Sequence, residues 1–106
     1  MSISWGNIMC IDSFVGIRNV DGTVSYIQGR FETNNLGMWL QCNMFNMTNI
    51  RKLMHEYYTN EKQHHDSINS LEEGLKKVDV IYLWDFKYKH WLEKTKETDW
   101  HKIGAN

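Results

Sequence analysis

FVGIRNVDGTVSYIQGRFETNNLGMWL, residues 14–40, is the stretch that decides the fold. Apolar and polar residues alternate through most of it, and an alternation with a period of two is typical of β-strands. In the first segment Phe14 and Arg18 lie on one face and Val15 and Ile17 on the other, and in the second Ile27 and Phe31 lie opposite Val24, Tyr26 and Arg30. The pair Asp21-Gly22 is a strong signal for a tight turn, because both residue types tolerate a positive φ. The stretch therefore predicts a β-hairpin whose strands are residues 13–18 and 23–31.

The end of the same stretch predicts a helix that follows the hairpin directly. Residues 32–35 form a polar corner, in which Asn34 or Asn35 can cap the helix by accepting a backbone N–H. Three apolar residues then recur at the spacing i, i+3 and i+4, which places them on one helical face: Leu36, Trp39 and Leu40.

The middle of the chain predicts two further helices. An apolar stripe indicates a helix over residues 48–58, with Thr48 as its N-cap. The polar residues 59–66 that follow predict a loop. Ser70 and Glu73 match the spacing of a capping box, which predicts a short third helix.

The C-terminal part predicts a second hairpin. Residues 78–86, VDVIYLWDF, are rich in β-branched and aromatic residues and predict a strand buried on both faces. Residues 87–94 alternate again and predict its antiparallel partner. Because strands cluster at the two ends of the chain, the sequence predicts an α+β fold. The expected architecture is a small antiparallel sheet of about four strands, with two or three helices inserted between the N- and C-terminal hairpins. At 106 residues the chain, residues 1–106, is expected to be a single domain.

The charge of the chain is nearly balanced, with a formal net charge of −1 at pH 7. A domain that grips a nucleic acid backbone normally carries a basic stripe, so this balance argues against nucleic acid as the partner. Lys87 and Lys89 do flank Tyr88, an arrangement that could bind a single strand, but Asp85 and Glu93 lie nearby in the sequence. A solvated hairpin with cross-strand ion pairs is the simpler interpretation.

No run of about 18 apolar residues occurs, so the sequence predicts no membrane-spanning segment and no membrane partner. The first residues lack the basic start and the small-residue cleavage site of a signal peptide, and we expect a cytoplasmic protein. The two cysteines, Cys10 and Cys42, are expected to be reduced thiols, and Cys42 is expected to be buried in the predicted first helix.

The sequence offers little for catalysis. His64, His65 and Asp66, with His55 upstream, are the residue types of a metal site, but adjacent histidines diverge and zinc needs three or four converging ligands. The glycine patterns of nucleotide-binding loops and the motifs of activated nucleophiles are absent from the sequence. We therefore expect no cofactor, no metal ligand and no catalytic residue, and we expect that the chain is not an enzyme.

Tryptophan is abundant, with five residues in the chain. Tryptophan is rarely buried completely, so five are more than one small core is expected to enclose. One interpretation places Trp39 and Trp84 in the core and the others over the sheet edges. The other assigns an exposed partner-binding patch, because aromatic side chains dominate the binding energy of interfaces. The residues of that patch are Tyr57, Tyr58, Tyr88, Trp91 and Trp100.

The hairpin also carries a resemblance to a known family. Residues 16–19, GIRN, and residues 21–24, DGTV, lead through a polar corner into a helix and resemble a family of small uncharacterised bacteriophage proteins. The likeness covers about a fifth of the chain. Members of the family pass from the hairpin into a Trp-Asp-Gly-Tyr-Pro corner, whereas this chain reads GRFETNN at residues 29–35. The resemblance implies a phage origin and a similar fold, and it implies no chemistry.

Small accessory phage proteins act mostly by binding a host component, so the resemblance implies a non-catalytic inhibitor of a host protein. The expected target is a component of a bacterial defence system, in an anti-CRISPR or similar anti-defence role in the host cytoplasm. The alternative is a homo-oligomeric sponge that sequesters a signalling nucleotide. Its site would be the corner of residues 29–35, with Arg30 on a phosphate and with Asn34 and Asn35 beside it.

Overall fold

The predicted N-terminal hairpin lies within the sheet of the computed structural model, which describes residues 10–33, 35–56 and 64–104. β1 (Cys10–Arg18) pairs antiparallel with β2 (Thr23–Glu32). Between them, the N–H of Asn19 donates to the carbonyl of Thr23 at 2.8 Å, and Gly22 adopts a φ of +89°. The hairpin and its tight turn are therefore confirmed.

The first helix, α1 (Leu36–Asn43), follows the hairpin as predicted. Oδ1 of Asn35 accepts the N–H of Met38 at 3.0 Å, so Asn35 is the N-cap. Asn34, the other predicted cap, lies outside the described residues. Cys42 is exposed rather than buried, because it lies on the solvent side of this helix.

The second helix, α2 (Met47–Glu56), corresponds to the helix predicted over residues 48–58. Its cap differs from the prediction. Oδ1 of Asn46 accepts the N–H of Asn49 at 2.9 Å, so the chain enters the helix before Thr48. Thr48 lies inside the first turn, where an N-cap cannot be.

A short strand, β3 (His64–Ser67), pairs antiparallel with the start of β2. The prediction of a loop over residues 59–66 is therefore wrong for residues 64–66, and residues 59–63 lie outside the described residues. A strand at the edge of a sheet is held by backbone pairing and needs no apolar alternation. The polar sequence of β3 therefore shows no pattern that predicts a strand.

The third helix is α3 (Ile68–Glu73), which a 3₁₀ turn at Gly74–Lys76 extends. Oγ of Ser67 accepts the N–H of Ser70 at 3.2 Å, so the cap is Ser67 and the helix begins earlier than the capping box indicated. Gly74 lies against the ring of Phe14, where a Cβ atom would come within 2.2 Å of it, and this close approach seats α3 on the sheet.

The C-terminal strands are β4 (Val80–Asp85), β5 (His90–Thr95) and β6 (His101–Lys102). β4 pairs antiparallel with β5, as predicted, but pairs parallel with β1. The sheet has six strands in the order β3-β2-β1-β4-β5-β6. The predicted α+β class holds at this coarse level, whereas the purely antiparallel sheet of about four strands is corrected to a mixed sheet of six.

Helices cover both faces of the sheet. α1 and α2 pack on one face, over a core that includes Val15, Ile27, Leu36, Leu40, Ile50, Tyr82, Trp84 and Trp91. α3 and its 3₁₀ turn pack on the other face, over Phe14, Val24, Leu71, Leu75, Ile81 and Leu83. Every residue of β4 is buried, which confirms the prediction of a strand buried on both faces. Within the described ranges, no helix has the length and apolar character to cross a membrane.

Candidate functional site

Two turns lie side by side at one end of the sheet, because the central strands β1 and β4 run parallel and end together. Arg18, the last residue of β1, is opposite Asp85, the last residue of β4, and the N–H of Phe86 donates to the carbonyl of Arg18 at 3.2 Å. Three large apolar side chains on these turns are exposed: Val20 by 75%, Phe86 by 41% and Tyr88 by 63%. We call residues 19–22 and 86–89 together the turn surface.

The buried carboxylate of Asp85 builds the second turn. Its Oδ1 accepts the N–H groups of Lys87 at 2.9 Å and of Tyr88 at 3.0 Å, and its backbone carbonyl accepts the N–H of Lys89 at 2.8 Å. Lys89 adopts a φ of +56°, the left-handed region in which residues other than glycine are rare. The turn is therefore fixed by three hydrogen bonds to one residue.

The ring of Tyr88 is held in place although it is exposed. Nζ of Lys87 lies 5.2 Å from the ring centroid, within cation–π distance. On the strand side, the imidazole of His90 stacks on the ring, with centroids 5.9 Å apart and planes 11° apart. Tyr88, predicted as a partner-binding residue, is thus accessible and oriented before any partner binds.

The first turn is equally well connected. The carboxylate of Asp21 accepts the hydroxyl of Thr23 at 2.6 Å and its N–H at 2.9 Å, and these bonds hold the pKa of Asp21 below its ordinary value. Nδ2 of Asn19 donates to the hydroxyls of Thr23 and Ser25 at 3.1 Å each. These bonds fix the backbone around Val20, whose own side chain extends into solvent.

Of the other patch residues that the structure describes, Trp91 and Trp100, neither joins Tyr88 on the turn surface. Trp91 is only 2% exposed; its indole N–H donates to the carbonyl of Met44 at 2.8 Å, and its ring meets Trp84 edge to face at 5.6 Å. The expectation that Trp91 is exposed is therefore wrong, because β5 directs its side chain into the face of the sheet that α1 and α2 cover. Trp84 is buried, as one interpretation had it, whereas Trp39 is 37% exposed.

Trp100 is partly buried beside α3. Its indole N–H donates to Oε1 of Glu72 at 2.9 Å, and it packs against the core around Phe14. Its contacts tie the C-terminal segment to α3. The side chain of Trp100 is therefore only partly exposed, whereas the predicted patch needed it to be exposed. Tyr57 and Tyr58, the two remaining residues of the patch, lie outside the described residues.

An open cavity of about 220 Å³ lies between the end of β2 and the start of α1. We call it the corner pocket, and its lining residues are Phe31, Glu32, Thr33, Leu36 and Trp39. Arg30 and Asn35, the two described residues proposed for a nucleotide, do not line this cavity. Arg30 is on the opposite side of β2 from Phe31 and lies 4.0 Å from the carboxylate of Asp12, and the side chain of Asn35 is the cap of α1. Asn34 lies outside the described residues.

A chain of polar side chains joins the C-terminal strands, and no residue spacing in the sequence predicts it. The hydroxyl of Tyr82 donates to Oε2 of Glu93 at 2.6 Å, and Nε2 of His101 lies 3.1 Å from Oε1 of Glu93. Gly37 of α1 approaches the same oxygen closely, since a Cβ atom at Gly37 would lie 3.1 Å from the Tyr82 hydroxyl. Burial, followed by the hydrogen bond and the charge of Glu93, raises the pKa of Tyr82 well above its ordinary value. These contacts link β4, β5 and β6 and seat α1 against them.

In the part of the chain that the structure describes, no three His, Cys, Asp or Glu side chains converge as a metal ion would require. Cys10 and Cys42 are free and exposed. The candidate residues that sequence reasoning missed are Val20 and Phe86 on the turn surface and Glu32 in the corner pocket. An apolar residue inside a polar turn was the available signal for Val20.

Comparison of the chain with models of protein families, with curated proteins and with solved structures finds no match.

Proposed function

We propose that this chain is a phage-encoded, non-catalytic inhibitor that binds a host protein through the turn surface and blocks it in the host cytoplasm. The proposed target is a component of a bacterial defence system, in an anti-CRISPR or similar role. The phage origin rests on the resemblance of residues 16–24. The observation that carries the binding proposal is the exposure of Val20, Phe86 and Tyr88 on two adjacent, hydrogen-bonded turns.

The rigidity of the turn surface supports its use in binding. Ordering a flexible side chain on binding costs about 0.5–1.5 kcal/mol. Lys87 and His90 already orient the ring of Tyr88, and Asp85 fixes the backbone beneath it, so much of this cost is met before the partner arrives. Tyrosine is also among the residues that most often dominate interface binding energy.

The charges of the turn surface indicate the character of the partner. Lys87 and Lys89 are exposed, and no carboxylate of the described residues lies within ion-pair distance of either ammonium group. Asp21 contributes one opposing charge. A partner with an apolar pocket for Tyr88 and acidic groups at its rim fits this surface, and its association would weaken with salt. The mechanism is steric, since the two turns would cover the surface that the target needs.

The sponge alternative draws no support from the corner pocket. Sites for drug-sized ligands have volumes of roughly 300–1,000 Å³, above the 220 Å³ of this cavity. Among the described residues of its lining, only Glu32 is charged, and its carboxylate repels a phosphate.

Affinity capture from a bacterial lysate tests the proposal. Tagged wild type, Tyr88→Ala and Phe45→Ala are compared, with mass spectrometry of the retained proteins and small molecules. Phe45 is the matched control, because it is an aromatic residue, is 61% exposed and lies between α1 and α2, outside residues 19–22 and 86–89. We expect wild type and Phe45→Ala each to retain one host protein in stoichiometric amount, and Tyr88→Ala to retain none of it. We expect wild type to inhibit the activity of this host protein. A retained nucleotide without a protein would contradict the proposal.

A further inference from the structure

The corner pocket combines an apolar floor with an accessible aromatic wall. Phe31 and Leu36 are 5% and 1% exposed, so packing from the core fixes their positions. Trp39 is 37% exposed and offers part of its indole to solvent on the same cavity. Tryptophan is the aromatic side chain that attracts cations most strongly, so an accessible Trp39 favours a positively charged group over a neutral one.

The charge of the corner pocket favours the same ligand chemistry. Glu32 is exposed, and no donor within residues 10–33, 35–56 or 64–104 pairs with its carboxylate. Arg30, the nearest cation along β2, is on the opposite side of the strand and lies beside Asp12. The pocket therefore presents a free carboxylate with no described cation in its lining.

The size of the pocket limits the ligand. A cavity of about 220 Å³ lies below the range of whole small-molecule sites, roughly 300–1,000 Å³, and suits a single side chain. An arginine side chain matches the apolar floor, the aromatic wall and the carboxylate of the pocket. Its stem packs on apolar surface, its guanidinium stacks on aromatic rings, and its planar fork pairs with a carboxylate. We propose that the corner pocket binds an arginine side chain that a partner polypeptide presents.

This site is distinct from the turn surface. β2 begins beside the first turn and ends at Glu32, so a strand of ten residues, about 30 Å long, separates the two sites. The inference goes beyond the proposed function and does not depend on it, because each site can be inactivated while the other is intact.

A pair of blocked tripeptides tests the proposal directly. Ala-Arg-Ala is compared with Ala-citrulline-Ala, in which a neutral urea group of nearly the same shape replaces the guanidinium. The readout is the indole N–H resonance of Trp39 in NMR spectra of the full chain, identified by its loss in Trp39→Leu. We expect the arginine peptide to shift this resonance saturably and with at least tenfold higher affinity than the citrulline peptide.

Variants distinguish the pocket from general charge attraction. Glu32→Gln is expected to lower the affinity for the arginine peptide to that for the citrulline peptide, whereas Glu97→Gln, at an exposed carboxylate of the C-terminal segment, is expected to leave it unchanged. Near-identical spectra away from the corner would show that each variant is folded. Absence of a saturable shift, equal binding of the two peptides, or full binding by Glu32→Gln would each overturn the proposal. Preferential binding of adenosine monophosphate would do the same.

Discussion

The guanidinium of Arg18 and the carboxylate of Asp85 face each other across the parallel strands β1 and β4, with Nη1 and Oδ2 3.7 Å apart. The same carboxylate accepts the N–H groups of Lys87 and Tyr88. One buried side chain thus shapes the second turn and sets it beside the first. The turn surface depends on this arrangement for its geometry.

Replacing Asp85 is therefore expected to destabilise the fold. Asp85→Ala leaves two backbone N–H groups without their acceptor and removes the partner of Arg18, and we expect a loss of about 2–4 kcal/mol in the free energy of unfolding. Asp85→Asn retains an acceptor oxygen, and we expect a loss of about 1 kcal/mol. Urea titration measures both, with Glu97→Gln as a control that should stay within about 0.5 kcal/mol of wild type. An equal effect of Asp85→Ala and Glu97→Gln would contradict the role of Asp85.

The positive φ of Lys89 gives the opposite prediction. Glycine adopts a φ of +56° without the steric cost that a Cβ atom imposes, so Lys89→Gly is expected to stabilise the chain by about 0.5–1 kcal/mol. Lys89→Ala removes the same charge but retains the Cβ, and we expect no such gain. Thermal unfolding of the two variants separates the effects. Equal stability of the glycine and alanine variants would show that the turn is unstrained.

Trp84 and Trp91 are neighbours in the core but differ in the hydrogen bonding of the indole N–H. That of Trp91 donates to Met44, whereas that of Trp84 is buried and has no partner among the described residues. Phenylalanine removes the N–H at either position. We expect Trp91→Phe to cost about 1–2 kcal/mol more than Trp84→Phe, because only Trp91→Phe breaks a hydrogen bond and leaves a carbonyl unsatisfied. Equal costs in urea titration would contradict this difference.

The parts of the fold that the sequence predicted are those with local signals. Asp21-Gly22 determines its own turn, and the apolar run of β4 is buried wherever it packs. The parallel pairing of β1 with β4 joins residues about 70 positions apart, and no local pattern specifies which strands become neighbours. This pairing is what brings the two turns together, so the candidate site could not be predicted from the sequence.

The predicted aromatic patch also shows what local sequence patterns predict and what depends on tertiary packing. Alternation in β5 places Trp91 on one face of the strand, but the helices that cover that face decide its burial. Tyr88, only three residues earlier, stays exposed because it lies in a turn. Sequence composition indicated a surplus of aromatic residues, while the topology determined which of them face solvent.

The raised pKa of Tyr82 predicts a dependence of stability on alkaline pH. An unfolded tyrosine ionises near pH 10, whereas the folded chain holds the phenol proton to higher pH. The contribution of Tyr82 is therefore complete below about pH 10 and is lost as the pH rises above it, by up to about 1.4 kcal/mol per pH unit. We expect the difference in unfolding free energy between wild type and Tyr82→Phe to stay constant below about pH 9 and to shrink above about pH 10. A constant difference up to about pH 11 would contradict the prediction.

Binding through the turn surface is tested most directly by titrating the purified captured target with wild type, Tyr88→Ala and Phe45→Ala. Removing an exposed side chain leaves the core intact, so we expect all three to have the same far-UV circular dichroism and unfolding midpoints within a few degrees. We expect Tyr88→Ala to bind at least 30-fold more weakly, corresponding to about 2 kcal/mol for an interface hot spot, and Phe45→Ala to bind like wild type. Undiminished binding and inhibition by folded Tyr88→Ala would contradict the turn surface as the inhibitory site.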